Sequence, residues 1–126
     1  MGSRASQNLF TNLAASADLS TKQNKAVVIN SSGTIAVAGA AANVLGFLAN
    51  APISGAVCSI AGVGGGALAI AGGTITAGDL LETDANGDVV VATGAAENIC
   101  AQALESAVDN DVFNVVVYMD RVANTV

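Results

Sequence analysis

The chain of 126 residues has no histidine and no tryptophan, one tyrosine, one proline and two cysteines. Without histidine the usual general base of Ser–His and Cys–His catalysis is missing, which excludes triad chemistry in its common form. Scarcity of Trp and Tyr also removes the aromatic platforms on which sugar sites and receptor-binding surfaces draw. Basic residues are few. Arg4, Lys22, Lys25 and Arg121 stand against ten acids, giving a net charge of −6. Phosphate neutralisation needs clustered Lys and Arg, so no nucleic-acid partner is expected. Cys58 and Cys100 sit in apolar, strand-like surroundings, where a free Cys behaves as a small hydrophobe, and no disulfide framework is expected of two such residues.

Charge is absent altogether from Ala26 to Gly78, while nine of the ten acids fall between Asp79 and Asp120. A membrane span requires about 20 consecutive apolar residues. The neutral stretch is instead cut to strand length by Asn30-Ser31-Ser32-Gly33, Asn43, Asn50, Pro52 and the glycines of Gly62 to Gly66, and no membrane partner is expected. Nor do the first residues, with Arg4 followed by Ser6, Gln7 and Asn8, hold an apolar run of signal-peptide length. Large side chains are sparse because Ala and Gly supply much of the 52% hydrophobic content. Since burying a Leu, Val or Phe contributes roughly 1.5–3 kcal/mol and Ala far less, part of the stability is expected to come from subunit association.

What the chain does have is an internal repeat between Ala26 and Asp120. Asn30-Ser31-Ser32-Gly33, then Ile35 and Val37, Gly39 and Asn43-Val44-Leu45 recur as Asp84-Ala85-Asn86-Gly87, Val89 and Val91, Gly94 and Asn98-Ile99-Cys100. The offset is 54 residues up to the second strand and 55 beyond it, with the insertion beside Gly39/Gly94. A hairpin-plus-strand unit has too little apolar face to bury alone, so duplication closes a small β-structure. Strands are predicted over Lys25–Asn30, Thr34–Ala38, Val44–Ala49 with Leu45 and Phe47 on one side, and Ala56–Ile60. Short, bent pieces follow at Ala67–Ile70 and Thr74–Thr76, then strands over Leu80–Thr83, Val89–Ala92, Ile99–Leu104 and Val112–Met119. In the last, Phe113, Val115, Val117 and Met119 share one face and Val112, Asn114, Val116 and Tyr118 the other. Asn86-Gly87 predicts a type I′ hairpin turn with positive φ at both residues. Helix competes over Ala92–Ala107, which is Ala-rich.

The expected fold is all-β: one small antiparallel barrel- or sandwich-like domain over 25–126, preceded by an extended arm over 1–24. That arm is polar with isolated Leu9, Phe10, Leu13 and Leu19, has no counterpart in the repeat, and is compatible with a short helical turn around Gln7–Ala15. Spaced apolar residues on such a segment suggest ordering on a partner.

Three motifs invite chemical readings. Asp84-Ala85-Asn86-Gly87-Asp88 superficially resembles a calcium loop, yet its Gly is fourth and the flanks are strands, so it reads as a turn. Gly62-Val63-Gly64-Gly65-Gly66-Ala67 satisfies a relaxed dinucleotide fingerprint, but no helix follows for a pyrophosphate to cap. Asp79, Glu82, Asp84 and Asp88 could pair for glycoside chemistry, though a solvated acidic edge is the simpler reading. No catalytic residue, metal site, cofactor or small-molecule substrate is therefore assigned.

Thr74-Ile75-Thr76-Ala77-Gly78-Asp79-Leu80-Leu81, followed by Asp84-Ala85-Asn86-Gly87, Val89-Val90-Val91-Ala92 and Ile99-Cys100-Ala101-Gln102-Ala103-Leu104-Glu105, resembles the capsid cement, or head decoration, proteins of tailed bacteriophages. Leu45-Gly46-Phe47-Leu48-Ala49-Asn50-Ala51-Pro52 is similar too. The likeness spans roughly Lys25 to Met119, and departs from the family where Ile99-Cys100-Ala101 stands in place of a Gly. It implies a small, β-rich, typically trimeric protein, made in the host cytoplasm, that sits on the capsid exterior and ties neighbouring major capsid subunits together. Leu9, Phe10, Leu13 and Leu19 of the arm would then lie across a neighbour. The rival is a non-enzymatic receptor- or glycan-binding module of a surface fibre; a small hydrolase using the acids is a third.

Overall fold

The computed structural model describes residues 9–93 and 98–121. Ten strands follow one another: β1 (Leu9–Ala14), β2 (Ala26–Ile29), β3 (Ile35–Val37), β4 (Gly46–Leu48), β5 (Val57–Gly62), β6 (Gly66–Ile70), β7 (Leu80–Thr83), β8 (Val89–Val91), β9 (Asn98–Ala103) and β10 (Val112–Arg121). They form two antiparallel five-stranded sheets, ordered β1-β5-β4-β2-β3 and β6-β10-β9-β7-β8. The all-β expectation holds, and the helical alternative for Ala92–Ala107 gives way to β9. Neither sheet closes into a barrel. In each, one isolated parallel bridge, Ala15 to Ile35 and Ala71 to Val89, brings the end of the first strand to the last.

The two sheet orders are the same order displaced by five strands, so the duplication is larger than the sequence repeat. Matched hydrogen bonds fix the correspondence. Ala38 N donates to Ala26 O as Ala92 N donates to Leu80 O, at the offset of 54; Ala49 N donates to Ser59 O as Leu104 N donates to Asn114 O, at 55. The equivalence continues into the segment read as an arm. Ala15 N donates to Ala56 O and Ser16 N to Ile35 O, as Ala71 N donates to Asp111 O and Gly72 N to Val89 O. From Leu9 onward that segment is therefore the counterpart of β6, and a strand rather than a helical turn. Its first eight residues, and Gly94 opposite Gly39, lie outside the described residues.

Left-handed backbone is shared as well: Asn24 (φ 75°) matches Gly78 (93°) and Gly55 (82°) matches Asn110 (74°). Only Gly and short polar residues such as Asn take this conformation cheaply, which is why the exchange is always Asn for Gly. The hairpin turns correspond too, but differ from the predicted type I′. Gly33 (80°) and Gly87 (79°) are left-handed, and Asn86 is not among the positive-φ residues. Asn30 N donates to Thr34 O and Gly33 N to Asn30 O, with the same pattern at Asp84, Asp88 and Gly87. This is a three-residue loop in which a type I turn is followed by a left-handed glycine.

Seven buried residues fill one face of the first sheet: Ala15, Leu19, Val27, Ile35, Leu48, Cys58 and Ile60. Their counterparts, Ala71, Ile75, Leu81, Val89, Ala103, Phe113 and Val115, all belong to the second core. At one place the filling is exchanged. Leu48 with Cys58 becomes Ala103 with Phe113, a large and a small residue trading sides so that the space between strands stays occupied.

The other face of the first sheet packs on the second unit: Ala26, Ala38, Val44 and Phe47 join the second core. Here the expectation that Leu45 and Phe47 share a side fails. Leu45 precedes β4 and packs on the first core, whereas Phe47 is in the second, because β4 is buried on both faces. Gly46 permits this depth, since a Cβ there would collide with Ala61 O and come within 2.7 Å of Ile60 Cγ2. At the seam the β7–β8 turn docks on β2. Gly87 O accepts from Ala26 N at 2.9 Å, and Lys25 Nζ meets Asp88 Oδ1 at 2.6 Å with both side chains largely buried. Behind it Thr83 Oγ1 donates to Gly39 O and accepts from Ala42 N.

Candidate interaction surface

The residues expected to contact a neighbour are placed as follows. Leu9 and Phe10 lie in β1 opposite Ala61 and Ile60, where only their backbone is described. Leu13 stands opposite Cys58 and packs, half-buried, on the first core. Leu19 is 4% exposed, inside that core. Leu13 and Leu19 are thus brought together by the chain's own packing, Leu19 inside the core and Leu13 at its margin.

Four of the acids are occupied by turns. Asp84 Oδ1 accepts from Asn86 N and Asp88 N, Asp79 Oδ2 from Thr76 N, Asp111 Oδ2 from Val108 N, and Asp18 Oδ1 from Ser20 N. Glu105 Oε2 takes both the backbone N–H and the amide of Asn114, at 2.8 and 2.9 Å. Those two bonds stabilise the ionised form and hold the Glu105 carboxyl below its ordinary range, as the bonds from Ser20 do for Asp18. Asp88 departs from the expected solvated edge, being tied to Lys25 at the seam. Among the described residues no group of three or more His, Cys, Asp or Glu could hold a metal ion, and Asp84–Asp88 is a hairpin turn. The glycines from Gly62 to Gly66 form the β5–β6 turn, with Gly64 left-handed (φ 92°) and Gly64 N donating to Val117 O. Both thiols are buried and free. Burial pushes Cys100 up to about 12 and raises Cys58.

Large apolar side chains are exposed on both units, Ile53, Val57 and Val63 among them in the first. Leu68, Leu80, Leu104, Val108, Val112 and Tyr118 of the second unit are each at least 41% exposed. Register puts Leu80 beside Gln102 and Val112 beside Ile70 on the outer face of the second sheet. The corresponding face of the first sheet is covered in part: Ala26, the counterpart of Leu80, is 0% exposed and Phe47, the counterpart of Gln102, is 1%, whereas Val57, the counterpart of Val112, is 53% exposed. Around Ala26 and Phe47 the first unit thus has this face buried within the chain, where the second presents it around Leu80 and Gln102.

A groove of about 370 Å³ opens where the sheets meet. Phe47, Ala49 and Ala61 line it from the first unit and Gly66, Leu68, Leu104 and Asn114 from the second, and no charged residue borders it. The signal for this surface in the sequence was faint. Leu68 stands in the short strand β6 and Leu104 in the bend that follows β9, before Glu105, and only the folded arrangement exposes both.

No protein-family model matches the chain, and no curated protein does. Among solved structures it is similar to the N base of the head fiber protein gp8.5 of bacteriophage phi29, with a TM-score of 0.67 and 18% identity over 91% of this chain and 97% of that one. At that identity the likeness establishes a shared fold.

Proposed function

We propose that this chain is a structural, non-enzymatic virion protein that binds the outer surface of a bacteriophage capsid and bridges neighbouring major capsid subunits. The observation that carries the reading is the fold likeness to a phage head component over nearly the whole of both chains. It is supported by the resemblance of the Thr74–Glu105 motifs to head decoration proteins, and by carboxylates engaged in turns and an ion pair rather than gathered in a cleft. The chemistry of such a protein is burial. A standard interface buries about 800 Å² on each partner, and the uncovered apolar face of the second unit is suited to supply it. Three copies forming a homotrimer would multiply each weak contact through effective concentration.

A second reading follows from the same neighbour, which is a fibre base: the chain would seat a surface fibre or a receptor-binding module on the head. Mixing the purified chain with pre-formed capsid shells and imaging them separates the two. Saturating density at the junctions between capsid subunits supports bridging, density at isolated points supports a fibre seat, and bare shells refute both. Mass in solution tests the trimer; a monomer at all concentrations refutes it.

A further inference from the structure

Strand β6 is the edge of the second sheet, and its hydrogen-bonding register leaves part of it unused. Ala71 N donates to Asp111 O and Val117 N to Gly65 O. Antiparallel alternation therefore directs the N–H and C=O groups of Ala67 and Ala69 toward β10, and those of Gly66 and Leu68 away from it. No described strand pairs with that side. The Ala71–Val89 bridge closes it only beyond the far end of β6. Gly66 and Leu68 line the groove described above, so unpaired backbone donors and acceptors stand beside Phe47, Ala61, Leu104 and the half-exposed Leu68 side chain.

We propose that this edge receives an extended strand of a capsid protein, which adds to β6 as a sixth strand and lays alternate apolar side chains into the groove. The inference rests on the virion reading. Main-chain bonds supply affinity in strand addition, and the pockets for alternate side chains supply selectivity. Charge chooses the occupant. The lining is neutral, while just outside it Glu105 follows Leu104 in the chain and holds its carboxylate on Asn114, both of which line the groove. A second copy brought edge to edge would face the same acidic unit, which carries nine of the chain's ten acids. A strand of another protein with Lys or Arg beside its apolar residues meets opposite charge.

The test uses the full chain and a capped peptide of about nine residues alternating Val and Lys, with the same peptide N-methylated at alternate positions as control. Amide exchange is expected to slow by about tenfold or more at Gly66 and Leu68 on adding the peptide, and not at Ala67 or Ala69. The methylated peptide should give no protection. Leu68→Pro removes an outward donor that β10 does not use, and Leu104→Lys leaves the backbone edge intact while repelling the probe. Each should weaken binding about tenfold or more, with thermal unfolding of Leu104→Lys as in the parent. Peptide binding without protection of Leu68, or unchanged binding by Leu104→Lys, overturns the proposal. So does a concentration-dependent dimer that Leu68→Pro dissolves, since the edge then belongs to a second copy. If parent and Leu104→Lys decorate capsid shells equally, the edge is refuted and the virion reading stands. If the parent leaves shells bare yet the peptide protects Leu68, the virion reading fails alone.

Discussion

The exchange of Leu48 and Cys58 for Ala103 and Phe113 can be tested by undoing it. Phe113→Cys and Ala103→Leu, made separately, each place half of the first unit's filling into the second. Phe113 is 2% exposed and Ala103 2%, in one core cluster and on diagonal positions of β10 and β9, within reach of an aromatic ring. Phe113→Cys removes most of a buried ring and leaves a cavity, a loss of about 2–4 kcal/mol. Ala103→Leu crowds the same ring and costs about 1–3 kcal/mol. In the double variant the new Leu occupies the space the ring left, so the two costs should cancel in part, with a coupling of about 1–3 kcal/mol. Urea titration of the four proteins measures this directly, and the denaturant slope m should be unchanged because the unfolding surface is the same. Strict additivity of the two losses would refute the claim that the units are equivalent frames filled in two ways.

Four further outcomes follow. Gly46→Ala should lose about 2–3 kcal/mol in the same titration, because its Cβ would collide with Ala61 O. Lys25→Met should cost about 1–3 kcal/mol and Lys25→Met/Asp88→Leu less, since the single variant leaves a largely buried carboxylate without its cation. Cys100, with its thiol pushed up to about 12 by burial, should resist alkylation at pH 8 in the native chain and react once the chain is unfolded in urea. Glu105 should titrate below the ordinary value of 4.5 in an NMR experiment. Its folded-state value is depressed, so the bonds to Asn114 contribute above the unfolded-state value and are lost as pH falls through the folded one; in Glu105→Gln that acid-side change should disappear.

Strands were legible where side chains alternate clearly. β10 reads correctly as far as Tyr118, with Phe113, Val115 and Val117 large and buried and Val112 and Tyr118 exposed; the side chain of Met119 lies outside the described residues, past a register shift that begins after Val117. The repeat was legible through its turns, since Asn30 and Asp84 each accept from the backbone two and four residues on. Its first strand was not. β1 reads Leu-Phe-Thr-Asn-Leu-Ala and β6 Gly-Ala-Leu-Ala-Ile, which share backbone pairing and almost no side chains. For the same reason the placement of Leu13 and Leu19 was not legible: Leu19 lies in the first core and Leu13 packs half-buried against it. The fate of Phe47 depended on which unit covers β4, a tertiary fact with no local signal. The outward position of Leu80 was hidden likewise, because Leu80 and Ala26 occupy equivalent positions and what lies above each is set by the other unit.

The central claim is that this doubled β-module exists to be held on a phage shell. Electron cryo-microscopy of pre-formed capsid shells after incubation with the purified chain examines that claim with the fewest steps. The account predicts saturable, ordered density on the exterior that straddles neighbouring capsid subunits. Shells that stay bare at saturating protein, or that take up the chain only on their inner surface, would contradict it.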